Sequence, residues 1–108
     1  MGEKMKRLFI VFVITLLAMG IGSVNAGDAE AGKAKSASCA GCHGQDGISA
    51  NPVWPNLAGQ HEPYLIMEMK EYRDEVRNDP LMTPIVHNLT DEDIEDLAAY
   101  YASLSCGS

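Results

Sequence analysis

Cys39-Ala40-Gly41-Cys42-His43 decides the reading of this chain. Two cysteines three positions apart, with a histidine directly after the second, have the C-x-x-C-H spacing of covalent haem attachment. Two thiols add to the two vinyl groups, and the adjacent imidazole reaches the iron. One turn of backbone sets the sulfurs on one side, and the ring of His43 follows from the same short segment. C-x-x-C by itself also serves thioredoxin-like redox centres and zinc sites. Zinc needs a second pair of ligands, and Cys106 is the only other cysteine. A thioredoxin-like centre needs a βαβ pattern around the motif, and the flanking sequence has none.

Toward the N-terminus, Lys4, Lys6 and Arg7 precede an apolar run from Leu8 to Met19, and Val24-Asn25-Ala26 is a small-x-small cleavage site. Residues 1–26 therefore read as a signal peptide cleaved after Ala26, and residues 27–108 as the domain. The apolar run is short for a bilayer span of about 20 residues, and Gly20 and Gly22 weaken its end. The expectation is export to the periplasm with no stable membrane span after cleavage. Cys106 would then sit in an oxidising space.

Gly27 to Ser108 is one small domain whose polypeptide alone can bury only a thin core. Chains of that size usually need a staple, a metal or a cofactor, and a covalent haem supplies apolar mass. The full chain has 15 acids and 8 bases. Removing residues 1–26 takes away Glu3 and the bases Lys4, Lys6 and Arg7, which leaves 14 acids and 5 bases, a net charge near −9. Nucleic acid is excluded as a natural partner by that sign. A redox partner protein with a basic docking patch is favoured by it.

The domain reads as helices and loops without a strand pattern. Asp28 caps a first helix that runs to about Ser38, with Gly32 inside it where another helix must pass close by. Gly44 to Pro55 is a loop. A second helix starts near Pro63, with Leu65, Met69, Tyr72 and Val76 as its apolar stripe. Asn78 to Leu89 reads as a loop with two prolines. Thr90 caps a last helix whose first turn holds Asp91, Glu92 and Asp93. Ile94, Leu97, Ala98, Tyr101 and Leu104 form its buried face.

A soft neutral donor opposite His43 would complete a six-coordinate haem at a raised potential. The candidates are Met67, Met69, Met82, His61 and His87. Met69 reads as core filler, Met67 as peripheral, and the two histidines as loop residues. Met82 lies in Asp79-Pro80-Leu81-Met82-Thr83-Pro84, where flanking prolines reduce the entropy of presenting one side chain. His87 is the alternative, and bis-histidine ligation would lower the potential. Pro55 stands twelve residues after His43, so its carbonyl can accept the imidazole Nδ1 proton. Trp54 beside it can line the haem edge, hydrogen-bond a propionate, or simply cover the core.

The stretches 27–34, 39–47, 54–60, Tyr64-Leu65, 80–84 and 89–102 together resemble the small bacterial class I cytochromes c. The likeness is to single domains of the soluble dihaem periplasmic cytochromes and their monohaem relatives, and it covers essentially all of residues 27–108. The resemblance implies an all-α fold of three to four helices around one covalently bound haem c, with the first and last helices crossing. Gly32 would meet the face carrying Leu97 and Tyr100 or Tyr101. It implies Cys39 and Cys42 as attachment points, His43 and Met82 as axial ligands, and Pro55 as the carbonyl partner of His43. Two departures stand out. The first helix lacks the bulky aromatic of many relatives, which implies a tighter or less stable crossing, and Cys106 lies outside the family pattern.

The function implied is a periplasmic one-electron carrier rather than an enzyme, with both axial positions filled and no substrate site. The alternative is the haem-bearing, electron-accepting subunit of an oxidoreductase complex, such as a flavocytochrome c sulfide dehydrogenase. A ligand-binding or catalytic haem needs an open sixth position, and Met82 argues against it. Cys106 is either a free thiol without a role or the site of a disulfide to a second copy or a partner.

Overall fold

The computed structural model describes residues 27–107, so the leader expected over residues 1–26 lies outside the described residues. Five helices are present among the described residues: α1 (Ala29–Lys35), α2 (Ala37–His43), α3 (Glu62–Arg73), α4 (Met82–Val86) and α5 (Asp91–Ser103). No strand occurs among the described residues, and none of their helices is long and apolar enough to cross a membrane.

The all-α expectation stands, with five helices in place of the expected three to four: the first helical stretch is split in two, and a short helix forms in a segment expected as loop. The first helical stretch is broken at Ser36, whose backbone and side chain both turn back onto the Lys33 carbonyl (3.2 and 2.8 Å). A serine hydroxyl competing for a carbonyl of the preceding turn is a local helix-breaker. The C-x-x-C-H motif therefore occupies a short helix of its own, α2. The segment 78–89, expected as loop, coils into the single turn of α4. The apolar stripe of α3 ends early. Arg73 is its last residue, Glu75 adopts a left-handed backbone (φ 59°), and Val76 is exposed rather than buried. A left-handed residue just past a helix satisfies the trailing carbonyls and reverses the chain, here with Arg77 N–H donating to Glu71 O at 3.0 Å.

α5 is the central element. Thr90 and Asp93 form a capping box at its start, the hydroxyl accepting from Asp93 N–H and the Asp93 carboxylate from Thr90 N–H. Its inner face buries Ile94, Leu97, Ala98 and Tyr101, and Leu104 packs partly buried at the end. α3 contributes Leu65, with Ile66 and Met69 packed around it.

α1 crosses the other side of α5, and Gly32 is the contact point. A Cβ there would stand 1.9 Å from the Asp96 carbonyl oxygen and 2.8 Å from Tyr100 Cβ, so only glycine permits this approach. The tyrosine at the crossing is Tyr100; Tyr101 faces the core. Asp96, nearly fully buried, ties the crossing electrostatically. Its carboxylate accepts from Asp28 N–H at 2.8 Å and from the Lys35 ammonium at 2.7 Å, and Lys35 also pairs with Asp93 at 2.9 Å. Arg73 donates to Asp91 (2.7 Å) and to the Leu89 carbonyl (3.2 Å), which joins the end of α3 to the start of α5.

Candidate functional site

The site grows from α2. Cys39 and Cys42 lie one helical turn apart, both partly buried and not bonded to each other. His43, the last residue of α2, is 94% buried, being 6% exposed. Its Nδ1 lies 2.7 Å from the Pro55 carbonyl oxygen. A carbonyl only accepts, so Nδ1 carries the proton and Nε2 is left as the lone-pair nitrogen. The imidazole is thereby oriented and made more strongly donating.

The loop after α2 makes that hydrogen bond possible. Gly44 takes φ 87° directly after His43, where an added Cβ would stand 1.9 Å from the Ile48 carbonyl oxygen. The chain then folds back on itself. Leu57 and Ala58 N–H both donate to Gly47 O (2.8 and 3.0 Å), and Ser49 N–H donates to Asn56 Oδ1 at 2.7 Å. Ser49 Oγ donates to the Cys42 carbonyl at 3.2 Å, fastening the loop to the motif. Pro55 is carried over His43 by this closure, and half-buried Trp54 lies beside it, its N–H bonded to Asn51 O at 3.0 Å.

The remaining donor candidates separate by position. Met67 is 47% exposed, and His61 and His87 are exposed as well. Met69 packs against the core with Leu65 and Tyr101. Met82 opens α4, partly buried, in a turn built by Asp79. The Asp79 carboxylate accepts from Met82 N–H (2.8 Å) and Leu81 N–H (2.9 Å), and those two amides hold it below the usual carboxylate range. Asp79 is the site residue that the sequence reading passed over. Its signal was present as Asp-Pro at a helix start, with Thr83 four positions on.

The chemistry of the donor set discriminates among the readings of C-x-x-C. Burial pushes the Cys39 thiol up, with Ser38 and Tyr101 only partly opposing it. A dithiol redox centre needs a depressed thiol pKa, and burial moves Cys39 the other way even though it lies in the first turn of α2. Among the described residues no three His, Cys, Asp or Glu side chains are placed to hold a metal ion, so zinc lacks its ligands. A covalent haem fits instead. Two free thiols stand at attachment spacing, one buried imidazole offers a single committed tautomer, and Cys39, like partly buried Leu57, Ile66, Met69 and Leu89, packs against the core of Leu65, Leu97, Ala98 and Tyr101. Cys106 is exposed near the C-terminus and takes no part.

Comparison with known proteins agrees with this geometry. Residues 29–105 match the family described as Cytochrome c. The chain is 46% identical over 99 residues to cytochrome c4 of Pseudomonas aeruginosa, covering 92% of this chain and 49% of that protein. It is 52% identical over 81 residues to cytochrome c-554(548) of Halomonas halodenitrificans, covering 72% of this chain and 98% of that one. The crystal structure of reduced cytochrome c4 from Pseudomonas stutzeri superimposes with a TM-score of 0.71 at 42% identity, over 74% of this chain and 47% of that one. The chain thus spans about half the length of the cytochrome c4 relatives and nearly all of the shorter one. With the helix order, the crossing at Gly32 and the motif on α2 all accounted for, the chain belongs to the cytochrome c family: it is a class I cytochrome c domain that carries haem c covalently through Cys39 and Cys42.

Proposed function

We propose that this domain is a periplasmic one-electron carrier whose haem is closed on both faces, by His43 and Met82. The observation that carries the reading is the His43–Pro55 hydrogen bond, which leaves Nε2 of a buried imidazole, close in sequence to the two attachment thiols, as the nitrogen that would hold the iron. When bound, the haem supplies a ferric–ferrous couple. The chain's task is to hold that couple at constant potential and geometry. His43 donates through Nε2 while Pro55 fixes its ring. Met82, presented by the Asp79 turn, offers a neutral thioether that favours the reduced state and raises the potential relative to bis-histidine ligation. Trp54, half-buried next to Pro55, would line the haem edge. Burial and the neighbouring Cys39 thiol push the Tyr101 phenol up, so it stays neutral at physiological pH. No residue in this arrangement serves as an acid, base or nucleophile toward a substrate. Cleavage of residues 1–26 after Ala26 delivers the domain to the compartment where it works.

The acidic surface suits a redox partner with a basic patch, which it would steer at low salt. A second reading is favoured by two findings. The thiosulfate dehydrogenase electron acceptor of Thiomonas intermedia is 36% identical over 72 residues, 65% of this chain and 33% of that protein. A thiosulfate dehydrogenase from Marichromatium purpuratum superimposes with a TM-score of 0.65 at 31% identity, over 70% of this chain and 18% of that one. On that reading the same haem accepts electrons within an oxidoreductase complex. Purification from the native cell separates the two: a carrier elutes alone, whereas a subunit elutes with a stoichiometric partner. The carrier reading itself is tested by adding carbon monoxide to the reduced holoprotein. An unchanged spectrum supports a closed haem, and rapid binding overturns it.

A further inference from the structure

We propose that Asp79, assisted by Thr83, is a positioning residue for Met82, keeping the first turn of α4 closed so that the thioether stays on the iron. The inference rests on the reading of Met82 as the axial ligand.

Four hydrogen bonds converge on this turn. The Asp79 carboxylate accepts from Leu81 N–H at 2.9 Å and from Met82 N–H at 2.8 Å. Asp79 N–H donates to Thr83 Oγ1 at 2.9 Å, and Thr83 N–H donates back to Asp79 O at 3.1 Å. The pair is a reciprocal cap, in which each residue's side chain satisfies backbone of the other's end of the turn. Little else holds this end. α4 has five residues, far short of what sustains an isolated helix. Val86, at its far end, is the one fully buried side chain in it, while Leu81 and Ile85 are exposed. Pro80 and Pro84 restrict the backbone but offer no N–H. The methionine end therefore depends on Asp79 for its geometry. Opening the turn would release Met82 without unfolding the α1–α3–α5 core, because local stability varies across a structure.

The experiment compares the holoprotein with Asp79→Ala, Asp79→Asn, Asp28→Ala and Met82→Ala. Two signals are followed on heating: the weak far-red sulfur-to-iron charge-transfer band of the ferric protein, and far-UV helicity. The fraction of reduced protein that captures carbon monoxide is read alongside. Asp79→Ala should lose the far-red band well before helicity, and its carbon-monoxide-reactive fraction should rise on the order of 5- to 30-fold, the equilibrium effect of losing an N-cap. Asp79→Asn keeps the side-chain acceptor and should restore both signals. Asp28→Ala removes the cap of α1, whose Oδ1 accepts from Glu30 N–H; it should lower the unfolding temperature without separating the two signals. If band and helicity of Asp79→Ala fall together as in the parent, or if asparagine fails to rescue, the positioning role is overturned. If Met82→Ala retains the band, the ligand assignment falls and the inference falls with it. If Met82→Ala loses the band while Asp79→Ala keeps it, the ligand assignment survives and only the inference is lost.

Discussion

The Nδ1–H of His43 donates to the carbonyl oxygen of Pro55 across 2.7 Å, joining the end of α2 to the far side of the loop that follows it. The acceptor is backbone, so the contact is sensitive to how rigidly residue 55 is held rather than to its side-chain chemistry. Pro55→Gly frees that backbone. A looser hydrogen bond makes the imidazole a weaker donor, and a weaker donor stabilises the ferric state less. Redox titration of Pro55→Gly should therefore show a raised potential, by up to about 60 mV, which is tenfold in a one-electron equilibrium. A lowered potential would contradict this role for the carbonyl.

The helix crossing makes a prediction with an internal control. At Gly32 an added methyl would meet the Asp96 carbonyl at 1.9 Å, whereas at Gly41 it would meet nothing within 4 Å. Gly32→Ala should destabilise the holoprotein by about 2–3 kcal/mol, the cost of forcing packed elements apart. Gly41→Ala, on the exposed side of α2, should be neutral or stabilising by up to about 1 kcal/mol, since alanine loses less backbone entropy in a helix. Denaturant unfolding monitored by far-UV circular dichroism distinguishes the two signs.

Acid should loosen the same crossing. The Lys35 ammonium holds Asp93 down at about 2 from an ordinary 3.8 and depresses Asp96 in the same direction, with Asp28 N–H adding to the latter. A carboxylate whose pKa is lower folded than unfolded binds fewer protons in the native state. Its contribution is therefore complete above the ordinary carboxylate range and is lost as pH falls from about 4 toward 2. Lys35 is raised by its two acidic partners, so its share of the same pairing is lost only in strong alkali. Lys35→Met should flatten the acid limb of a stability-versus-pH profile between about 2 and 4 and leave its neutral plateau lower. An acid limb of unchanged steepness would contradict the clamp.

Much of this fold is legible in the sequence. The C-x-x-C-H spacing, the Thr90 cap and the apolar period of 94–101 are local signals, each readable within one helical turn. Gly32 could be marked as a close-approach point because a mid-helix glycine needs a reason, but which tyrosine it met depended on the rotation of α5, and Tyr100 occupies the contact. What could not be read were effects decided by competition over a few residues. Ser36 splits a helix that alanine propensity would have continued. Glu75 ends α3 in a left-handed turn where the apolar pattern ran on to Val76. Asp79 and Thr83 coil a segment that its two prolines marked as loop. The Pro55 contact was anticipated from the family resemblance and from spacing; the Ser49–Asn56 closure that delivers it is a side-chain-to-backbone bond seven residues apart, with no periodic trace in the sequence.

The central claim is that Met82, rather than Met67, Met69 or a histidine, closes the iron opposite His43. Proton NMR of the reduced holoprotein tests it most directly, because a thioether methyl seated over the haem plane is shifted far upfield by the ring current. The account predicts one methionine spin system at strongly negative shift, present in Met69→Leu and absent from Met82→Ala. An upfield methionine that survives in Met82→Ala, or no such signal in the parent protein, would contradict it.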